Sequence, residues 1–214
     1  MSANRQRVAV LISGRGSNMA ALIYAAKAAD CPFQIVLVAS NDPAAPGLAL
    51  AAAEGIATYA HPHKGLDRAA FDAIIHREIK AAQADYVALA GYMRLLSAEF
   101  VEKWTGRMLN IHPSLLPNYK GLHSIERALA AGESHAGCSV DLVTEDMDAG
   151  ELLGQTAVAI LPGDTASTLA DRVLMGHVLA QRYLHPTAYR SQYKELKDWM
   201  AAYADHPAAR RIHT

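Results

Sequence analysis

The sequence predicts a doubly wound α/β protein: a mostly parallel, Rossmann-like sheet with helices on both faces and an antiparallel hairpin in its C-terminal half. Three observations predict it. Short aliphatic runs alternate with helix-period segments over the first half, each run closes on glycine or turn residues, and two strand-like runs near the end are joined by a tight turn.

The first run, VAVLI at 8–12, ends in Ser13-Gly14-Arg15-Gly16, and an alanine-rich helical pattern begins after Ser17-Asn18. Residues 34–40 read as a buried strand, 47–54 as a helix and 57–60 as a third short strand. Residues 67–82 are helical, with Phe71, Ile74, Ile75 and Ile79 on one face. The run 86–90 is another buried strand, closed by Gly91, and Ser97 makes an N-cap for a helix through 104. A strand at 108–111 leads into a loop with Pro113 and Pro117 and a helix over 124–131. Strands at 138–143 and 151–160 are joined by Asp146-Met147-Asp148-Ala149-Gly150, and a helix over about 165–184 closes the pattern. No repeat or linker divides the chain. One domain over 1–214 is expected, with halves at about 1–108 and 109–190 and a tail at 191–214.

Composition excludes several classes. The chain has 214 residues with 20 Lys and Arg against 21 Asp and Glu, so no global field draws a nucleic acid, and an anion must be bound locally. The two cysteines, Cys31 and Cys138, form neither a disulfide framework nor a zinc motif. His61 and His63 lack further ligands at a recognisable spacing, and no metal is expected. The start lacks a signal-peptide arrangement, and charge or glycine interrupts every apolar stretch, which predicts a cytoplasmic protein without a membrane partner. Monomer and homodimer are both compatible with the sequence.

Gly14-Arg15-Gly16-Ser17-Asn18 lies where a strand meets a helix, so free N–H groups and the helix dipole form an anion site. A plain βα turn is the other reading of these glycines. A dinucleotide fold wants a third glycine where this chain has Met19, although Asp42 stands where a ribose-binding acid would lie. Ser17 and Asn18 offer side-chain donors that suit a phosphate monoester.

Asn110 and His112, two apart in an extended segment, project to one side. Acyl transfer to an amine needs a donor for the developing oxyanion and a carrier for the amine proton, and an amide and an imidazole fill those roles. Asp148 is the candidate to orient and polarise the imidazole. A histidine before proline is also a common core or capping residue, and aspartate beside Ala-Gly a common turn residue.

The stretch LNIHPSLLP at 109–117 resembles the signature of the folate-dependent formyltransferase family, and Gly121-Leu122-His123 resembles its glycinamide ribonucleotide branch. ISGRGSN, SNDPAAPGL, LAGYMRLLS and SVDLVTEDMDAG follow in that family's order, so the resemblance runs from residue 8 to about 184. It implies formyl transfer from 10-formyltetrahydrofolate, a co-substrate, to the amine of glycinamide ribonucleotide, by direct attack and without metal. It implies that Asn110, His112 and Asp148 are catalytic and that Gly16, Ser17 and Asn18 contact the substrate phosphate. The first half would then carry the phosphate site, and the second the folate and catalytic groups. The folate pocket implied is lined by Leu89, Met93, Arg94, Leu95, Leu96, Val101, Met108 and Val143. The loop Thr144, Glu145, Asp146 and Met147 would read the pterin, with Arg68 near the folate tail. A family glutamate that touches the ribonucleotide falls on His177, or on Gln181 if one helical turn is inserted. Other departures are Asp141 and Ile125, where members often carry histidine, and Ala149 in place of a glycine.

Hydrolysis of the formyl folate would use the same three residues, but that branch carries a preceding regulatory domain for which residues 1–7 leave no room. Formyl transfer to methionyl-tRNA would call for a further basic domain. A non-catalytic nucleotide-binding module or a nicotinamide-dependent dehydrogenase would rest on the glycine turn alone.

Overall fold

The computed structural model describes residues 5–180, with side chains through 174. The tail at 191–214 and the expected helical continuation to 184 lie outside the described residues. One seven-stranded sheet organises the chain. In chain order the elements are β1 (Gln6–Ile12), α1 (Ser17–Ala26), β2 (Phe33–Ser40), α2 (Pro46–Ala53), β3 (Thr58–Ala60), α3 (Arg68–Ala81) and β4 (Tyr86–Leu89). Then follow α4 (Ala98–Lys103), β5 (Met108–His112), α5 (Ser124–Ala130), β6 (His135–Leu142), β7 (Leu152–Ala159) and α6 (Ala166–Ala180).

The strand order is β3-β2-β1-β4-β5-β6-β7. Strands β1 to β5 run parallel, and β6 and β7 are antiparallel to their neighbours. The expected parallel sheet with an antiparallel C-terminal hairpin is therefore the observed one. The β6 strand starts at His135, three residues before the apolar run at 138, because β7 pairs with it from His135, opposite Ala159, to Asp141. Backbone pairing extends past the hydrophobic pattern there.

Alternation along the central strands fills two separate layers. Leu11, Ala39, Leu89 and Met108 face α3 and α4 and pack with Phe71, Ile75, Ile79, Phe100, Val101 and Trp104. Val10, Ile12, Val38, Ala88 and Ile111 face α1 and α2 and pack with Met19, Ile23 and Leu50. A third cluster joins Ala136 and Cys138 of β6 to Leu169 and Val173 of α6. Asp67 and Ser97 cap α3 and α4 by accepting from the N–H groups of Ala70 and Phe100. Chain direction reverses its lateral progress between β1 and β4, which puts the ligand crevice of such a sheet at their carboxyl ends.

Candidate active site

At that switch point the loops after β1, β2 and β4 are tied together. The Met93 N–H donates to Ser13 Oγ at 2.7 Å, whose hydroxyl donates to Asn41 Oδ1 at 2.5 Å, and Asn41 Nδ2 meets His63 Nδ1 at 3.1 Å. Gly16 caps α1 in the left-handed region, with φ 75 and ψ 27, and no side chain caps the helix. The open N–H groups of the first turn therefore point outward with the positive end of the helix dipole. A β-carbon on Gly16 would sit 3.0 Å from the α-carbon of Gly47, where α2 crosses the turn, so glycine is demanded by space as well as by φ. Asp42 spends its carboxylate locally, accepting the Ala44 N–H at 2.9 Å.

A cleft of about 400 Å³ opens beside this turn. Arg15, Ser17 and Asn18 line one side, and Ile111, Pro113, Ile125 and Cys138 line the other. Burial pushes the Cys138 thiol up to about 12, so it stays protonated and apolar there.

Strand β5 separates this cleft from the catalytic candidates. Ile111 points toward α1, while Asn110 and His112 share the opposite face with Met108. Both converge on one carboxylate. Asn110 Nδ2 donates to Asp148 Oδ1 at 3.1 Å, and His112 Nδ1 lies 3.4 Å from Asp148 Oδ2. The Gly121 N–H also donates to Asp148 Oδ2, at 2.8 Å. The other ring nitrogen, His112 Nε2, faces the Tyr119 carbonyl at 3.0 Å. An acceptor thus faces each of the two ring nitrogens. Asp148 holds φ 48, a left-handed conformation that aspartate tolerates better than bulkier residues, and its hydrogen bonds offset the strain. Gly150 closes the turn against the Leu142 carbonyl so tightly that no side chain fits there.

Motif reading missed three contributors: the Gly121 N–H, the Tyr119 carbonyl and the carboxyl of Asp141. The two backbone groups carry no residue-type signal. Asp141 lies opposite Asn110 in the β5–β6 pair, with Oδ1 3.4 Å from the same amide nitrogen, and is 2% exposed. Burial, reinforced by the charge of Asp148 and opposed by the Asn110 hydrogen bond, raises its carboxyl to about 6. The donor side of Asn110 is therefore turned toward two carboxyls, a more constrained amide than spacing along β5 suggests.

The apolar candidates divide into a floor and a rim. Leu89, Val101 and Met108 are buried in the layer under α3 and α4, with Leu96 and Val143 packed against it. Met93, Leu95 and Met147 stand 68%, 54% and 53% exposed. Leu122 is exposed as well. Thr144, Glu145 and Asp146 are exposed in the β6–β7 connection, where the Thr144 hydroxyl donates to the Asp146 carbonyl. Arg94 stacks 4.6 Å from the Phe71 ring centre. Exposed Arg68 opens α3, and its charge and that of Arg94 favour ionisation of Asp72, whose burial raises its carboxyl. The His177 side chain and all of Gln181 lie outside the described residues. Among the described residues, no group of three His, Cys, Asp or Glu side chains is arranged for a metal, and no helix is long and apolar enough to cross a membrane.

A model of the formyl transferase family matches residues 6–180. Phosphoribosylglycinamide formyltransferase of Escherichia coli K12 is 42% identical over 167 residues, covering 78% of this chain and 79% of that protein. The trifunctional purine biosynthetic protein adenosine-3 of Drosophila melanogaster is 48% identical over 176 residues, 81% of this chain. The match spans only 13% of that longer protein, about an eighth of its length. The crystal structure of phosphoribosylglycinamide formyltransferase from Brucella melitensis superposes with a TM-score of 0.78 at 50% identity, covering 82% of this chain and 91% of that one.

Proposed function

The chain belongs to the formyl transferase family, and from that premise we propose that it moves the formyl group of 10-formyltetrahydrofolate to the primary amine of glycinamide ribonucleotide. The products are N-formylglycinamide ribonucleotide and tetrahydrofolate, in de novo purine synthesis. One observation carries the reading: Asn110 and His112 of β5 converge on Asp148, with the cleft beside the glycine turn on one side of the strand and a buried apolar layer on the other.

The amine nitrogen attacks the formyl carbon, its carbonyl oxygen takes up negative charge, and the bond to N10 of the folate then breaks. His112, its Nδ1 toward Asp148, takes the amine proton on Nε2 once that nitrogen leaves the Tyr119 carbonyl and then passes it to the departing N10, and the imidazolium formed in between stabilises the charge on the oxygen. Asn110 supplies an amide hydrogen to the same oxygen when it is not drawn to the carboxyls. Gly16, Ser17 and Asn18 hold the phosphate at the α1 N-terminus. Met93, Leu95 and Met147 cover the folate, over the floor of Leu89, Val101 and Met108. The enzyme on this reading works in the cytoplasm.

The test follows absorbance as formyl leaves a 10-formyl folate analogue, with and without the ribonucleotide. Release that requires the ribonucleotide and collapses in His112→Ala and Asp148→Asn supports transfer. Release without it means hydrolysis, and none at all means a binding module.

A further inference from the structure

Two carboxyls compete for one amide nitrogen in this site, and they are not equivalent. Asp148 has compensation: besides Asn110 it accepts from the Gly121 N–H at 2.8 Å and faces His112 Nδ1 at 3.4 Å. Asp141 has much less. It is 2% exposed, and among the described residues no Lys, Arg or His nitrogen pairs with it within 4.0 Å. Its one side-chain hydrogen bond is the 3.4 Å approach to Asn110 Nδ2.

The backbone holds this arrangement in place. Asp141 lies directly across the antiparallel pair from Asn110, and the β6–β7 register slips between Val140 and Asp141, the kind of irregularity that re-aims a side chain. The charged groups acting on Asp141 are Asp148 from the β6–β7 turn, which opposes its ionisation, and Lys120 from the loop after β5, which favours it less strongly. Of the two carboxyls, His112 stands against Asp148. A buried carboxyl beside a like charge and without a paired cation keeps its proton more readily.

We propose that Asp141 works as a neutral carboxylic acid and is a positioning residue for Asn110. With its proton on, it leaves the second amide hydrogen of Asn110 free for the oxyanion. With its proton off, it draws that hydrogen to itself and sets a second negative charge beside the developing one. Formyl transfer therefore slows as Asp141 ionises, independently of His112. The inference rests on the assignment of Asn110, His112 and Asp148 to transfer, and its test has a readout that needs no turnover.

Infrared spectra of the full chain without substrates, collected across pH, report protonated carboxyls by their carbonyl stretch. A difference between wild type and Asp141→Asn should isolate one acid band that fades near pH 6. Asp72, also buried, cancels in that difference. Asp148→Asn should move the midpoint down by removing the like charge, and this second variant serves if Asp141→Asn does not fold. In turnover, Asp141→Asn should lose the part of the alkaline decline in kcat that Asp141 sets. Its rate at pH 8, relative to pH 6, should exceed the wild-type ratio by about tenfold, less than the loss of a whole oxyanion donor. Absence of the difference band, a midpoint unmoved in Asp148→Asn, or identical pH profiles would each overturn the proposal and leave formyl transfer standing. A band present in a chain that transfers no formyl would overturn the transfer reading and the positioning role together.

Discussion

At the turn after β1 the candidate binding groups begin with the backbone, where Gly16 at φ 75 opens the first N–H groups of α1 beside the Ser17 and Asn18 side chains. Across β5 and β6 they are side chains, with Asn110, His112 and Asp141 grouped around Asp148. Both regions lie at one end of one sheet, on opposite faces of β5. The difference teaches what each can tolerate. A backbone site depends on one conformation and the space around it, whereas a buried side-chain cluster depends on strand register and on how many protons it holds.

The largest expected effect separates the two regions by kinetics. His112→Ala should lower kcat by about 10² to 10⁴-fold, the usual range for a general acid–base group, with little change in KM for the ribonucleotide. Steady-state rates in both substrates check this. Adding Asp148→Asn should cost much less than the product of the single losses, because the two groups act as a unit.

The next effect sharpens the view that the side-chain cluster is governed by protons. The folded state raises Asp141 from 3.8 to about 6, so it binds a proton more tightly than the unfolded chain. The contribution is fully present below the ordinary carboxylate value and is lost as pH rises through about 6. Denaturant unfolding of wild type and Asp141→Asn should therefore diverge between about pH 4 and 7, in favour of the variant at the upper end. The divergence should reach at most about 3 kcal/mol.

Gly16→Ala probes the backbone region. A methyl group there meets Gly47 and Met19 at 3.0 Å at a positive φ, so stability should fall by about 1 to 3 kcal/mol. KM for the ribonucleotide should rise while kcat for bound substrate holds, the reverse of the His112→Ala pattern. Thermal unfolding and kinetics on one preparation decide it.

The smallest effect concerns neither site. Arg172 forks onto Asp164 at the start of α6 and also donates to the Ala159 carbonyl. The guanidinium holds the Asp164 carboxyl well below its usual range, so this stabilisation is present above the ordinary carboxylate value and lost in acid. Arg172→Ala should lower Tm slightly at neutral pH and not at all in strong acid, and should leave kcat unchanged.

Much of this was legible from local pattern. The strand, glycine turn and helix around Gly16 follow from steric rules acting over a few residues, and Asn110 and His112 share a face because an extended chain alternates. The pairing of His112 with Asp148, 36 positions on, could be named from residue type as a candidate, but its geometry came from the fold, since no local rule joins a strand residue to a distant turn. The floor and rim were not separable: Met93 and Met108 look alike as letters, yet one is 68% exposed and the other 1%.

By itself the sequence determined the alternation that builds the sheet, the conformation of the glycine turn and the presence of an amide and an imidazole on one side of β5. Only the tertiary structure decided that Asp141 would lie across from Asn110, that Asp148 would reach both Asn110 and His112, and that burial would leave one carboxyl compensated and the other not. The physical reason is range. Steric and periodic constraints act along the chain, whereas desolvation and charge coupling depend on which groups the fold brings together after the strands have paired.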